Sequence, residues 1–233
     1  MILIFSDENH AMSEATTETI GDATFRTIRS DIIHGVLRPG DRLTLDRLKE
    51  RYEVSVGTLR EVLTRLASES FVVAEGQKGF EVAPASEADL RELGALRLLL
   101  ESHALGLSLA SGDLEWEGRV VAAHHKLAAI EKRLLAGAGN RTPEWILYDR
   151  SFHESLISAC GSRSLMAMHT TVFDRFVRYH MLAGSFRGKP VADDHLALLK
   201  AALDRDAETA QQLLEAHINK GIEHVLSTGT IGG

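Results

Sequence analysis

From Asp22 onward, apolar residues return every three or four positions, in short runs at first and in long ones later. The stretch VSVGTLREVLTRL, Val54 to Leu66, shows the short form. With Ser55 as its cap, Leu59, Val62, Leu63 and Leu66 make one stripe, while Gly57, Thr58, Arg60, Glu61 and Thr64 lie off it. The same period predicts helices over 22–35, 44–52 and 55–69. In FVVAEGQKGFEV two short apolar runs flank a polar turn containing Gly76 and Gly79, which predicts a β-hairpin over 71–83. Past VAPASEADL, at 82–90, only long helical patterns remain: about 87–111, 113–136, 143–160, 163–183, 191–204 and 206–227. Asp113 and Asp206 are expected caps, Thr142 is expected to cap a helix whose first residue is Pro143, and GAGN and GSFRGKP break the period. Four regions follow: a flexible N-terminal segment (1–20), a helical unit with a hairpin (21–83), a linker (84–88) and an all-helical domain (89–228).

Only Glu53, Val54 and Ser55 separate the second and third helices, which predicts a helix-turn-helix corner with the hairpin as its wing. The fold class is therefore mostly α, an N-terminal winged helix-turn-helix followed by an all-α antiparallel bundle. In that motif the second helix lays its N-terminal residues into the major groove of DNA. Ser55, Val56, Gly57, Thr58 and Arg60 would face the duplex, with Arg65 further along and Lys78 and Gly79 at the wing tip. The guanidinium fork of Arg60 suits guanine or phosphate, and a capped helix N-terminus attracts phosphate. The ordinary alternative is a solvated face on a three-helix core.

The 233 residues carry a formal net charge of -7, so DNA binding must come from a local patch and not from a generally basic surface. A single cysteine, Cys160, excludes an internal disulfide framework and a multi-cysteine zinc site, and is read as a packing residue. MILIF is too short for a signal-peptide core, and no later run is expected to approach a membrane span. A cytoplasmic protein with no membrane partner is expected.

Three pieces together resemble the winged-helix domain of the GntR family of bacterial transcriptional regulators. They are I-x-x-G-x-L-x-P-G-x-x-L at Ile33 to Leu43, S-x-x-x-L-R-E-x-L-x-R-L at Ser55 to Leu66, and the glycine-bearing wing. Where the family usually has an arginine directly after the cap, this chain has Val56, which suits a thymine methyl. The rear half is similar to the FCD ligand-binding domain of the FadR-like branch, opening with R-x-x-L-E at Arg97 to Glu101. That resemblance implies a metal site at Asp149, His153, His195 and His217, and the spacing agrees with it. Asp149 and His153 are i and i+4, on one helical face. His195 and His217 each stand eleven residues, roughly 16 Å, from Asp206 at the turn of a helical hairpin, and so face each other at equal height.

One carboxylate and three imidazoles suit a divalent transition metal, with zinc first and nickel, manganese or iron as alternatives. Six of the remaining eight histidines, His103, His124, His125, His169, His180 and His224, are expected to have no metal role. Trp116, Trp145, Phe152, Phe173 and Phe176 are expected in the core. The branch further implies a repressor that binds a palindromic double-stranded operator as a homodimer and responds to a small carboxylate effector. Arg97 is the expected effector-binding cation, against an ordinary i,i+4 pair with Glu101; Arg175 is a weaker candidate, and so is Arg178. The rival from another class is a metal-dependent hydrolase, against which stands the lack of H-E-x-x-H or a similar helper beside the quartet.

Overall fold

The computed structural model describes residues 18–74, 79–137, 139, 141–184 and 186–231. Residues 1–17 and the Gly76 and Lys78 positions of the wing turn lie outside the described residues. The front unit is α1 (Ile20–Ile33), β1 (Arg42–Leu43), α2 (Leu45–Tyr52), α3 (Val56–Ser68), β2 (Val72–Ala74) and β3 (Phe80–Val82). Ile28 and Ile32 of α1 meet Leu59, Leu63 and Leu66 of α3 in one buried cluster, so the stripe read from the sequence is the inner face. The β2–β3 hairpin is antiparallel, with Val73 opposite Glu81. β1 was not expected: two residues are too few for a period, yet Arg42 and Leu43 pair with Glu81 and Phe80 and put β3 at the centre of the sheet.

The rear unit is α4 (Glu87–Ser111), α5 (Leu114–Leu135), α6 (Thr142–Ile157), α7 (Arg163–Ala183), α8 (Lys189–Leu203) and α9 (Ala207–Ser227). Ser86, Asp113, Ser162 and Asp206 each accept a backbone N–H of the first turn that they cap. Thr142 does not cap. The N-cap of α6 is Arg141, whose side chain makes no capping bond, and Thr142 is itself helical and buried ahead of Pro143. α6 stops at Ile157, three residues before the expected end, where Ser158 and Cys160 turn back on i−3 carbonyls ahead of Gly161 at φ 72°. α8 opens two residues early because Pro190 fits the first turn, where a missing N–H costs nothing.

Two further expectations need correction. The linker is shorter than 84–88, since Glu87 and Ala88 already belong to α4. It is also pinned: Arg178 donates to the Ala83 carbonyl, and the Ser86 N–H donates to Tyr179 Oη at 3.2 Å. Length and apolarity would in fact let α4 cross a membrane, with a mean hydropathy of 1.2 over 18 residues. Its buried Arg97 and Glu101 and its packing against α7 and α9 mark it instead as the central helix of the bundle.

Candidate metal centre and recognition helix

Asp149 and His153 on α6 meet His195 on α8 and His217 on α9, all buried, with one ligand atom from each within 4.8 Å of the others. The α8–α9 hairpin does what its spacing predicts, bringing the His195 and His217 rings to 4.8 Å between centroids. His195 Nε2 lies 3.1 Å and His153 Nε2 3.9 Å from Asp149 Oδ1.

Behind the quartet stand carboxylates that the sequence reading missed. Glu131 of α5 accepts from His195 Nδ1 at 2.7 Å and from the indole of Trp145 at 3.3 Å. Glu101 of α4 lies 3.3 Å from His153 Nδ1 and 2.6 Å from His169 Nε2. A carboxylate only accepts, so the proton of His195 and of His153 is held at Nδ1 and the Nε2 lone pair turns inward. Both Nε2 atoms are buried without a hydrogen-bond partner. An orphaned buried acceptor is costly, and two of them aimed at one carboxylate fit a cation.

The charges agree with that fit. Burial pushes Asp149 up, but the close approach of His195 and the His153, His195 and Arg97 charges outweigh it and hold the carboxyl well below the carboxylate range. Burial likewise pushes His195 down, yet the carboxylates of Asp149 and Glu131 beside it raise it to about 8. His217 is held well below its usual value by burial and by the neighbouring His195 and His153, and burial chiefly lowers His153. His180, beside the site, is pushed down to about 3 by burial and by Arg187.

A cavity with about 20 Å³ of water-accessible space opens beside the quartet, bounded by Asp149, His217, His180, Arg97 and Arg187, with Ile146, Val177 and Gly221 among its other walls. Arg97 faces it as expected, and it also makes the i,i+4 pair with Glu101 at 2.9 Å. Arg175 does not reach it, because its guanidinium pairs with Asp89 at 2.9 Å at the foot of α4. Arg187, inside the GSFRGKP break, does reach it and was not predicted. Arg178 is taken up by Ala83.

On α3, Ser55 Oγ accepts the Thr58 N–H at 3.1 Å, fixing the helix start. Val56, Gly57 and Arg60 are exposed; Val56, Arg60 and Gly79 share a groove with Arg42, Thr44 and Asp46, at the edge where β3 meets β1. Arg65 is turned away: it pairs with Asp22 at 2.8 Å and its guanidinium lies 3.8 Å from the Phe25 ring centroid.

Residues 21–82 match the model of the bacterial regulatory proteins of the gntR family, and residues 92–220 match the FCD domain. The chain belongs to the GntR family. It is a DNA-binding transcriptional regulator with an FCD domain. The chain is 39% identical over 219 residues to the HTH-type transcriptional regulator BphR of Paraburkholderia xenovorans (strain LB400), covering 93% of this chain and 89% of BphR. It is 32% identical over 200 residues to the HTH-type transcriptional repressor GlaR of Escherichia coli (strain K12), covering 83% and 90%. E. coli McbR/YncC shares the fold, with a TM-score of 0.74 at 20% identity over 91% of this chain and 99% of that one. Family and relatives are regulators, not enzymes.

In this GntR-family protein the recognition unit and the FCD domain are joined by charge. Asp174 of α7, almost wholly buried, takes Arg29 of α1 on one carboxylate oxygen and Arg150 of α6 on the other. Arg29 also holds Glu69, the C-cap of the recognition helix, at 2.8 Å, and Arg150 follows Asp149 in sequence. Four ionic residues thus run from the α6 turn that carries Asp149 to the end of α3.

Proposed function

We propose that this regulator is a cytoplasmic repressor that binds a palindromic operator as a homodimer, and that a small carboxylate acting at a metal in the FCD domain controls its DNA affinity. The observation that carries the reading is the pair of buried, unpartnered imidazole nitrogens facing Asp149 beneath a winged helix. Asp149, His153, His195 and His217 would hold the metal, zinc first by donor set and nickel, manganese or iron as alternatives. Bound there, it supplies a Lewis-acid position for a ligand oxygen.

DNA contact falls to Ser55, Val56, Gly57, Thr58 and Arg60 on α3 and to Gly79 and Lys78 on the wing. Two-fold symmetry follows from the short reach of one recognition helix, which reads too few base pairs alone. In this reading residues 21–83 contact DNA and residues 89–228 hold metal and effector. A relative named as a repressor supports the sign of regulation. The Asp174 bridge offers the physical link: an effector that moves α6 changes the anchorage of α1 and α3, by no more than its differential affinity for the two arrangements. Hydrolysis is disfavoured because Glu101 and Glu131, which back the His153 and His195 imidazoles, are both engaged by them and neither stands free as a general base.

Elemental analysis of dialysed protein tests the core of this reading. His153→Ala, His195→Ala and His217→Ala should each lose metal, and with it thermal stability, whereas His124→Ala should keep both. Wild-type protein that holds no transition metal even after reconstitution would falsify the site.

A further inference from the structure

The three imidazoles of the quartet are not backed alike. His195 Nδ1 meets Glu131 at 2.7 Å and His153 Nδ1 lies 3.3 Å from Glu101, so both rings turn Nε2 inward. His217 Nδ1 faces a cation instead, the Nη2 of Arg187 at 3.3 Å. A guanidinium only donates, so Nδ1 must accept there and the ring's proton sits on Nε2. That leaves Nε2, on the other edge of the ring, to face the quartet, and a protonated Nε2 has no lone pair for a metal. The Arg187 contact and a metal on His217 Nε2 therefore exclude each other.

A carboxylate stands beside this pair. Asp194, the residue before His195 on α8, places Oδ2 3.8 Å from His217 Nδ1 and 3.9 Å from Arg187 Nη1. Lys220 holds its Oδ1 at 2.7 Å, but Oδ2 is buried with no hydrogen-bond partner among the described residues, and so is Arg187 Nε. An unpaired buried carboxylate oxygen is costly, and one oxygen can accept two donors. We infer that Asp194 is the positioning residue for His217: with metal on Nε2, Asp194 Oδ2 accepts the Nδ1 proton, and Arg187 gives up Nδ1 for the same oxygen. The inference rests on the metal reading above. Bringing both contacts to hydrogen-bond length takes a shift of about 1 Å. The ring gains a proton at Nδ1 and loses one from Nε2, so its charge does not change. Each imidazole is then fixed by a carboxylate from a different helix, Glu101 of α4, Glu131 of α5 and Asp194 of α8. Metal loading is thereby tied to the break between α7 and α8 that carries Arg187.

Long-range proton–nitrogen NMR of the full chain with labelled histidine, before and after zinc is added to chelator-treated protein, reads the tautomers directly. His217, assigned by its loss in His217→Ala, should carry its proton on Nε2 before zinc and on Nδ1 afterwards, while His153 and His195 keep a proton on Nδ1 throughout. Zinc competition titrations supply the second readout. Asp194→Asn should weaken zinc by roughly 10- to 100-fold. Asp193→Asn, which removes the same charge from the exposed neighbouring side chain, should stay within about fivefold of wild type. Arg187→Met should tighten zinc by roughly tenfold, because nothing then holds the Nδ1 lone pair, whereas a purely structural role in holding His217 would weaken it. A His217 Nδ1 that carries a proton before zinc or lacks one afterwards overturns the assignment and leaves the metal reading standing, and so does wild-type zinc affinity in Asp194→Asn. Wild type that takes up no zinc overturns both. If Asp194→Asn does not fold, the wild-type spectra and Arg187→Met decide: weaker zinc binding in Arg187→Met overturns the assignment.

Discussion

Replacing Asp174 with asparagine removes one charge from the centre of the bridge between the two units while keeping the side chain's shape. The carboxylate is only 2% exposed and is the shared partner of Arg29 and Arg150, whose side chains are 16% and 28% exposed. Burial would lower the Arg29 pKa, but Asp174 first and then Glu69 keep it raised, so the pair is tightly held. Breaking a buried ion pair by removing one member costs about 3–5 kcal/mol. Here each arginine keeps a second carboxylate, Glu69 at 2.8 Å and Glu154 at 2.9 Å, and Arg150 reaches solvent. The expected loss is therefore nearer 2–4 kcal/mol. Urea unfolding followed by circular dichroism measures it, and a double-mutant cycle with Arg29→Met should give a coupling of about 1–3 kcal/mol. The transition should also broaden or split as the winged helix and the bundle lose their common anchorage. Stability within about 0.5 kcal/mol of wild type, the range of an ordinary surface change, would refute the bridge.

Three other outcomes are expected. Metal affinity should fall about tenfold per pH unit below about 8, because His195 must lose the proton that Asp149 and Glu131 stabilise; competition titrations across that range check it. Without metal the sign reverses: the raised His195 pKa stabilises the fold below the ordinary histidine value, and that contribution is lost as pH rises through about 8. Gly94→Ala would put a Cβ 2.4 Å from Ile222 Cδ1 at the α4–α9 contact, costing about 1–3 kcal/mol in thermal or urea unfolding. Arg60→Ala should weaken operator binding by about 1–3 kcal/mol and relax base preference at one position, as read by fluorescence anisotropy on variant operators.

The parts of this molecule that were legible in its sequence are those governed by period and spacing. The inner stripe of α3, its Ser55 cap and the equal heights of His195 and His217 all follow from helical geometry. What escaped was set by tertiary packing. Glu131 sits in AAIEKRLL, where a glutamate followed by Lys132 and Arg133 looks like a solvated charge, and only the approach of α8 buries it against His195. Arg187 lies in a glycine-bearing break that carries no burial signal. Arg175 and Arg178 stand three apart in FDRFVRYH, and the sequence does not say that one pairs with Asp89 and the other with Ala83. Thr142 met every local rule for a cap, yet the chain entered α6 one residue sooner.

The central claim is that the metal-centred cavity and the recognition helix share one equilibrium. Fluorescence anisotropy of zinc-reconstituted protein on its own promoter DNA, with and without a bound organic acid, measures that directly. The account predicts a change in operator affinity of about 5- to 150-fold for wild type, the range of ordinary allosteric coupling, and none for a His153→Ala, His195→Ala double variant that still binds DNA. An operator affinity indifferent to acid in metal-loaded wild type, or the same acid response in the double variant, would contradict it.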